Sequence, residues 1–197
     1  TCTITNDDVA PTLTLLKTVI NDNGGTLTEA DFPAFIDGNT VTWGAANTLV
    51  GNATYTASET EQYGYAASVW GGDCADDGTV FLGVGDNKTC TITNDDIAPT
   101  LTIAKRVIND DGGDATVADF GVTTSAGALV FDSVSTDGDI TTYTAQTLTG
   151  LSADVSYSLA ELDVAGYSEG NWDCSPNIGG GIYNGGSVTL ALGEDAT

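Results

Sequence analysis

Between Thr12 and Ile20 the chain alternates: Leu13, Leu15, Lys17 and Val19 share one side of an extended strand, and Thr12, Thr14 and Thr18 share the other. Successive side chains of a strand point to opposite faces, so this is the pattern of a half-buried strand. The stretch from Leu101 repeats it with Leu101, Ile103, Lys105 and Val107. Tyr55, Ala57 and Glu59 alternate with Thr54, Thr56 and Ser58, and Tyr157, Leu159 and Glu161 form the matching row later in the chain. Cys90, Ile92 and Asn94 alternate with Thr91 and Thr93. Asn, Asp and Gly bound these runs, and Asp-Gly at 37–38, 77–78 and 137–138 supplies turn signals. The pattern predicts an all-β sandwich, with about seven strands to a domain.

The runs recur in register. Residues 2–8 read CTITNDD, and residues 90–96 read CTITNDD again. Near-copies follow, VAPTLTLLKTVINDNGG from Val9 and IAPTLTIAKRVINDDGG from Ile97. Ala30-Asp31-Phe32 returns as Ala118-Asp119-Phe120, Gly64-Tyr65 as Gly166-Tyr167, and Trp70 to Cys74 as Trp172 to Cys174. Order preserved over so many landmarks marks tandem repeats. The division predicted is 1–8 as the final strand of a preceding repeat, 9–96 as repeat one, and 97–197 as repeat two. Repeat two then takes its last strand from the next copy, either a separate subunit or a further segment of one long chain.

Three polar residues interrupt the apolar faces. Lys17, Glu59 and Asn94 do so in repeat one, and Lys105 and Glu161 in repeat two, with Asn6 belonging to the Asn series. A buried ammonium is costly by several kcal/mol unless it is paired or neutralised. The rows therefore aim one Lys, one Glu and one Asn of each repeat at its core.

Composition narrows the function classes. A net charge of −24 with no His repels nucleic acid and anionic membranes, which leaves neither as a natural partner. The absence of His, of a nucleophile elbow and of a phosphate loop argues against an enzyme. No run of the sequence is long and apolar enough for membrane insertion. The four cysteines read as disulfides of a secreted protein: Cys74 pairs with Cys90, and Cys174 and Cys2 make the equivalent link between copies.

A Lys in the first strand, a Glu ahead of Gly-Tyr and an Asn in the last strand resemble the Cna-B and SpaA-type prealbumin-like domains of bacterial surface adhesins and pilins. The resemblance covers both repeats. It departs in lacking a Pro between Glu59 and Gly64 and in adding a cysteine pair. It implies tandem immunoglobulin-like β-sandwiches and a spontaneous Lys–Asn isopeptide bond. Lys17, Glu59 and Asn94 form one self-crosslinking set, and Lys105, Glu161 and Asn6 of the adjacent copy form the other. A buried Lys–Glu ion pair hydrogen-bonded by Asn is the non-covalent alternative.

In the resembled fold the first and last strands run side by side, so their acidic ends meet. Asp22, Asn23, Asp95 and Asp96, with Asp110, Asp111, Asp7 and Asp8 as equivalents, read either as turns or as oxygen ligands for calcium. No other cofactor is implied. The function predicted is a structural repeat of an extracellular fibre, stalk or pilus-like filament at the cell surface, partnered head-to-tail by copies of itself. The alternative is an adhesin module that binds a glycan or host protein. Its surface would lie between Lys105 and Glu161, which are 56 positions apart against 42 for Lys17 and Glu59.

Overall fold

The computed structural model describes residues 1–174, 182–183 and 186–197, those of 182–183 as backbone. The chain divides into two compact units, one of residues 1–21 and 26–96, the other of residues 22–25 and 97–197.

The first unit contains β1 (Thr12–Ile20), β2 (Ala34–Ile36), β3 (Asn39–Val41), β4 (Ala46–Thr48), β5 (Ala53–Glu59), β6 (Tyr65–Ala67), β7 (Gly71–Gly72), β8 (Thr79–Leu82) and β9 (Asn87–Asp96). One sheet runs β4-β1-β9-β6, with β7 also on β9, and the other runs β3-β2-β5-β8. β1 has the bounds its alternation predicts. It pairs in parallel with β9 over its whole length, from Thr12 opposite Asn87 to Ile20 opposite Asp95. The inward rows of these two strands, Leu13 and Leu15 with Cys90 and Ile92, pack against Ala34, Ile36, Ala57, Val80 and Leu82 of the second sheet. Asp37 and Gly38 close the β2–β3 hairpin, both with positive φ (48° and 76°), the geometry an Asp-Gly turn is suited to.

The second unit contains β10 (Thr100–Leu101), β11 (Ala104–Ile108), the short helix α1 (Val117–Phe120), β12 (Thr123–Thr124), β13 (Phe131–Asp137), β14 (Ile140–Ala145), β15 (Ser156–Ala160), β16 (Ile182–Tyr183), β17 (Ser187–Thr189) and β18 (Asp195–Ala196). Its core gathers Leu101, Ile103, Val107, Phe120, Leu159, Val188 and Leu190. The pattern from Leu101 predicts one continuous first strand, and here the structure differs: the strand is split into β10 and β11. β10 has a parallel partner, β18, for two residues, and the ladder ends there. On one edge β11 pairs with β14, as β1 pairs with β4. β13 then adds a further strand beyond β14, and the added length of this repeat forms that exposed hairpin. No helix among the described residues is long and apolar enough to cross a membrane.

Candidate functional site

In the first unit three strands bring the inward polar residues together. Lys17 lies opposite Ile92 in the β1–β9 ladder, and Asn94 lies opposite Val19. Asn94 is therefore one side-chain step beyond Lys17 on the neighbouring strand, on the same face. Glu59 comes from the end of β5 in the facing sheet. The Lys17 side chain is fully buried (0% exposed), and its Nζ donates to Glu59 Oε2 in an ion pair. Glu59 Oε1 and Asn94 Oδ1 are both buried acceptors with no hydrogen-bond donor.

Aromatic rings line the site. A capping box, in which Thr28 N–H and the Thr28 hydroxyl both donate to Asp31 Oδ2, holds the 3-10 turn Glu29–Asp31 and delivers Phe32 into the core. Lys17 Nζ sits 4.3 Å from the Phe32 ring centroid and 5.6 Å from that of Trp43. The Trp43 indole N–H donates to the Phe32 carbonyl at 2.8 Å. Tyr65 meets Phe32 edge-on at 5.5 Å. Its hydroxyl donates to Asn21 Oδ1 at 2.5 Å and accepts from Leu27 N–H at 3.0 Å. Burial holds the Lys17 pKa below its ordinary 10.5, against the upward pull of the Glu59 hydrogen bond and charge. A lysine amine whose proton is held less tightly, one step along the sheet from a carboxamide, pairs a nucleophile with an electrophile.

The second unit repeats the arrangement without the Asn. Lys105 Nζ lies 2.5 Å from Glu161 Oε2 and 4.2 Å from the Phe120 centroid. Phe120 meets Tyr167 edge-on at 5.4 Å, and the Tyr167 hydroxyl donates to Asn109 Oδ1 at 2.5 Å. The same capping box recurs at Thr116 and Asp119. The difference is exposure: the Lys105 side chain is 16% exposed, against 0% for Lys17. It faces a pocket of about 410 Å³ that also touches Glu161, Trp172 and Cys174.

Cys74 and Cys90 are joined by a disulfide with Cα atoms 5.1 Å apart. Cys174 is half-buried and Cys2 exposed, both as free thiols. Asp95, exposed, and Asp96, buried, end β9, and Asp22 is exposed. Asn23 donates to Asp22 Oδ1 at 2.6 Å. Asp7, Asp8, Asp110 and Asp111 are all exposed. Asn6 is exposed as well, on a segment with no strand.

The strand patterns pointed to Lys, Glu and Asn but missed the aromatic wall. Phe32 and Phe120 were visible as the recurring Ala-Asp-Phe landmark, whose role requires knowing that its turn packs under the lysine. Asn21, at the head of an Asn-Asp-Asn-Gly-Gly run, accepts from the tyrosine of Gly64-Tyr65.

No curated protein matches the chain. A family model described as a prealbumin-like fold domain of SpaA type matches it twice, over residues 8–92 and 96–197. Domains of that family are structural modules of pilus and surface proteins. Matched over nearly its whole length, the chain belongs to the SpaA-type prealbumin-like domains.

Proposed function

We propose that this chain is a structural repeat of an extracellular fibre, stalk or pilus-like filament, made resistant to force and proteolysis by a disulfide and a Lys–Asn amide of the kind its first module is built to hold. One observation carries the reading: a fully buried Lys17, paired with Glu59, beside a buried Asn94 whose Oδ1 receives no hydrogen bond. Such a group is costly to leave unsatisfied in a core stabilised by burial, so its retention points to chemistry at that carboxamide.

The step balances without an oxidant or reductant. Lys17 Nζ passes a proton to Glu59, and the free amine attacks Cγ of Asn94. The new Nζ–Cγ bond forms, the Cγ–Nδ2 bond breaks, and the two protons that Nζ loses pass by way of Glu59 to Nδ2, which leaves as ammonium. The aromatic wall excludes water that would compete for the carboxamide. This is a single self-modification and turns over no substrate. Together with the Cys74–Cys90 disulfide it fastens β9 at two points, to Cys74 and to β1.

The test is intact mass of the folded, reduced protein. The reading expects a mass one ammonia below that of the sequence, with a Lys17–Asn94 branched peptide after digestion. Glu59→Gln keeps the shape and removes the proton relay, so it should restore the unmodified mass while the β-sheet circular dichroism is unchanged. Unmodified Lys17 in folded wild-type protein would sink the covalent reading.

A further inference from the structure

The sequence holds two Asn-x-Thr triplets, Asn52-Ala53-Thr54 and Asn87-Lys88-Thr89, both in the first unit. An Asn with a hydroxyl residue two positions on is the acceptor pattern for N-linked glycosylation, and by pattern the two stand equal. Their settings in the fold differ. Asn87 opens β9 and lies opposite Thr12 of β1, whose hydroxyl donates to Asn87 Oδ1 at 3.0 Å. Thr89 lies opposite Thr14 of β1 and is held on its other edge as well. Its N–H donates to Asp73 Oδ2 at 2.8 Å, and its carbonyl accepts from Asp73 N–H at 2.8 Å. This triplet is strand backbone with neighbours on both sides.

Asn52 stands in the bend between β4 and β5, one residue ahead of β5, and it is exposed, as is Thr54. No hydrogen bond to another described residue occupies its carboxamide. Ala53 and Thr54 pair with Leu82 and Phe81 of β8 along one edge. β2 joins β5 only from Ala57 onward, so among the described residues the other edge beside Ala53 and Thr54 has no strand.

The backbone does not require Asn at this position. Its counterpart in the second unit is Asp154, which takes the same left-handed conformation, φ 59° against 57°. Asn and Asp both tolerate that region, so either residue makes the turn. Only the carboxamide can accept a sugar. Asp154 is exposed even though Ala153 beside it is buried and donates its N–H to the Asn23 carbonyl at 2.8 Å. The position therefore stays open even where a loop packs against the turn.

We propose that Asn52 is a site of N-linked glycosylation and that the fold withholds Asn87. The donor is an oligosaccharide carried at its anomeric carbon on a polyprenyl pyrophosphate, and a membrane-bound oligosaccharyltransferase makes the transfer. Asn52 Nδ2 attacks the anomeric carbon and the new C–N bond forms. The bond from that carbon to the phosphate oxygen breaks, and its electron pair leaves with the lipid pyrophosphate. One Nδ2 proton passes to a carboxylate base of the transferase, and nothing is oxidised or reduced. The transferase meets an exported chain, so the site rests on the extracellular part of the reading above and not on the Lys17–Asn94 amide. The product is a bulky, hydrated group on the β4–β5 turn.

The experiment digests the native protein and removes N-linked sugars with an amidase in heavy-oxygen water, which turns each glycosylated Asn into a labelled Asp. The expected map shows the label at position 52 and an unlabelled Asn87. A second arm offers the folded 197-residue chain to a purified oligosaccharyltransferase and its lipid-linked oligosaccharide. One sugar chain per protein is expected, lost in Thr54→Val and in Asn52→Asp, the residue the second unit carries there, and kept in Asn87→Gln. Both silencing changes lie at exposed positions, so the thermal melt should not move. After reduction and unfolding, Asn87 should accept a sugar too, which shows that the fold made the choice. Native protein with Asn52 unmodified, a label at Asn87, or transfer that ignores Thr54→Val would overturn the proposal. If Asn52 is unmodified while Cys74 and Cys90 are oxidised in the same digest, the sugar site alone falls; if both cysteines are reduced, the extracellular reading falls with it.

Discussion

Lys17 is the residue on which the chemistry turns, because the sheet places a cation where a hydrocarbon is expected. Its side chain is fully buried, and burial outweighs the Glu59 pairing in setting its pKa. That direction has a pH consequence once the crosslink is prevented. In Asn94→Ala the amine persists, and its folded-state pKa lies below the unfolded value of 10.5. Between the two values the unfolded chain binds more protons than the folded one, so stability rises with pH across that window. Below the lowered value, the penalty of a buried ammonium is fully present. Thermal melts of Asn94→Ala from neutral to alkaline pH, read against Lys17→Met/Asn94→Ala as reference, should show this rise in the single variant alone. Equal pH slopes in both would mean that Lys17 does not carry the effect.

At the level of elements, the parallel β1–β9 pair organises the first module, and the cysteine bridge fixes its last strand. Closing the 16-residue span between Cys74 and Cys90 contributes about 3 kcal/mol in the chain-entropy picture. Cys74→Ala/Cys90→Ala should therefore lower the denaturant-unfolding free energy by about that amount with the fold retained. A loss near zero would mean that β9 is held by other contacts. The alternation of Thr12–Ile20 gave both the bounds of β1 and its buried face, because period two acts on one strand at a time. The break between β10 and β11 was not legible, since the residues from Leu101 to Val107 match those of β1 nearly one for one. A strand's continuity depends on hydrogen bonds that another segment provides, and its own side-chain pattern does not show them. The Phe120 wall was hidden for a similar reason: pattern reveals a face but not what packs over it.

For the whole molecule, charge sets the terms of assembly. A net charge of −24 makes copies repel one another, and at 0.15 M ionic strength that repulsion is screened beyond about 8 Å. Asp95 and Asp96 at the end of β9 offer carboxylate oxygens of the kind a hard divalent cation takes. We propose calcium there. Titration calorimetry should show binding that Asp95→Asn/Asp96→Asn abolishes, with a raised melting temperature in calcium. No heat, and a melt indifferent to chelator, would leave the cluster as turns alone.

If the chain builds fibres as proposed, those fibres provide the most direct test of continuity at this scale. If successive modules are joined either by one continuous chain or by Lys105–Asn6 amides, reduction removes only the disulfides and leaves the backbone of the fibre intact. Heat and detergent break strand pairing but neither kind of amide. A reducing, denaturing gel should therefore retain material far above the 20.0 kDa of this chain. The two sources of continuity then separate by digestion. Amide links give a branched Lys105–Asn6 peptide and a regular ladder in steps of one chain, whereas a continuous chain gives a single large species and an unbroken peptide running from Thr197 into the next CTITNDD. Strand addition held only by Cys2–Cys174 would instead collapse on reduction to free single copies, and that outcome would exclude both covalent continuity and the amide joint.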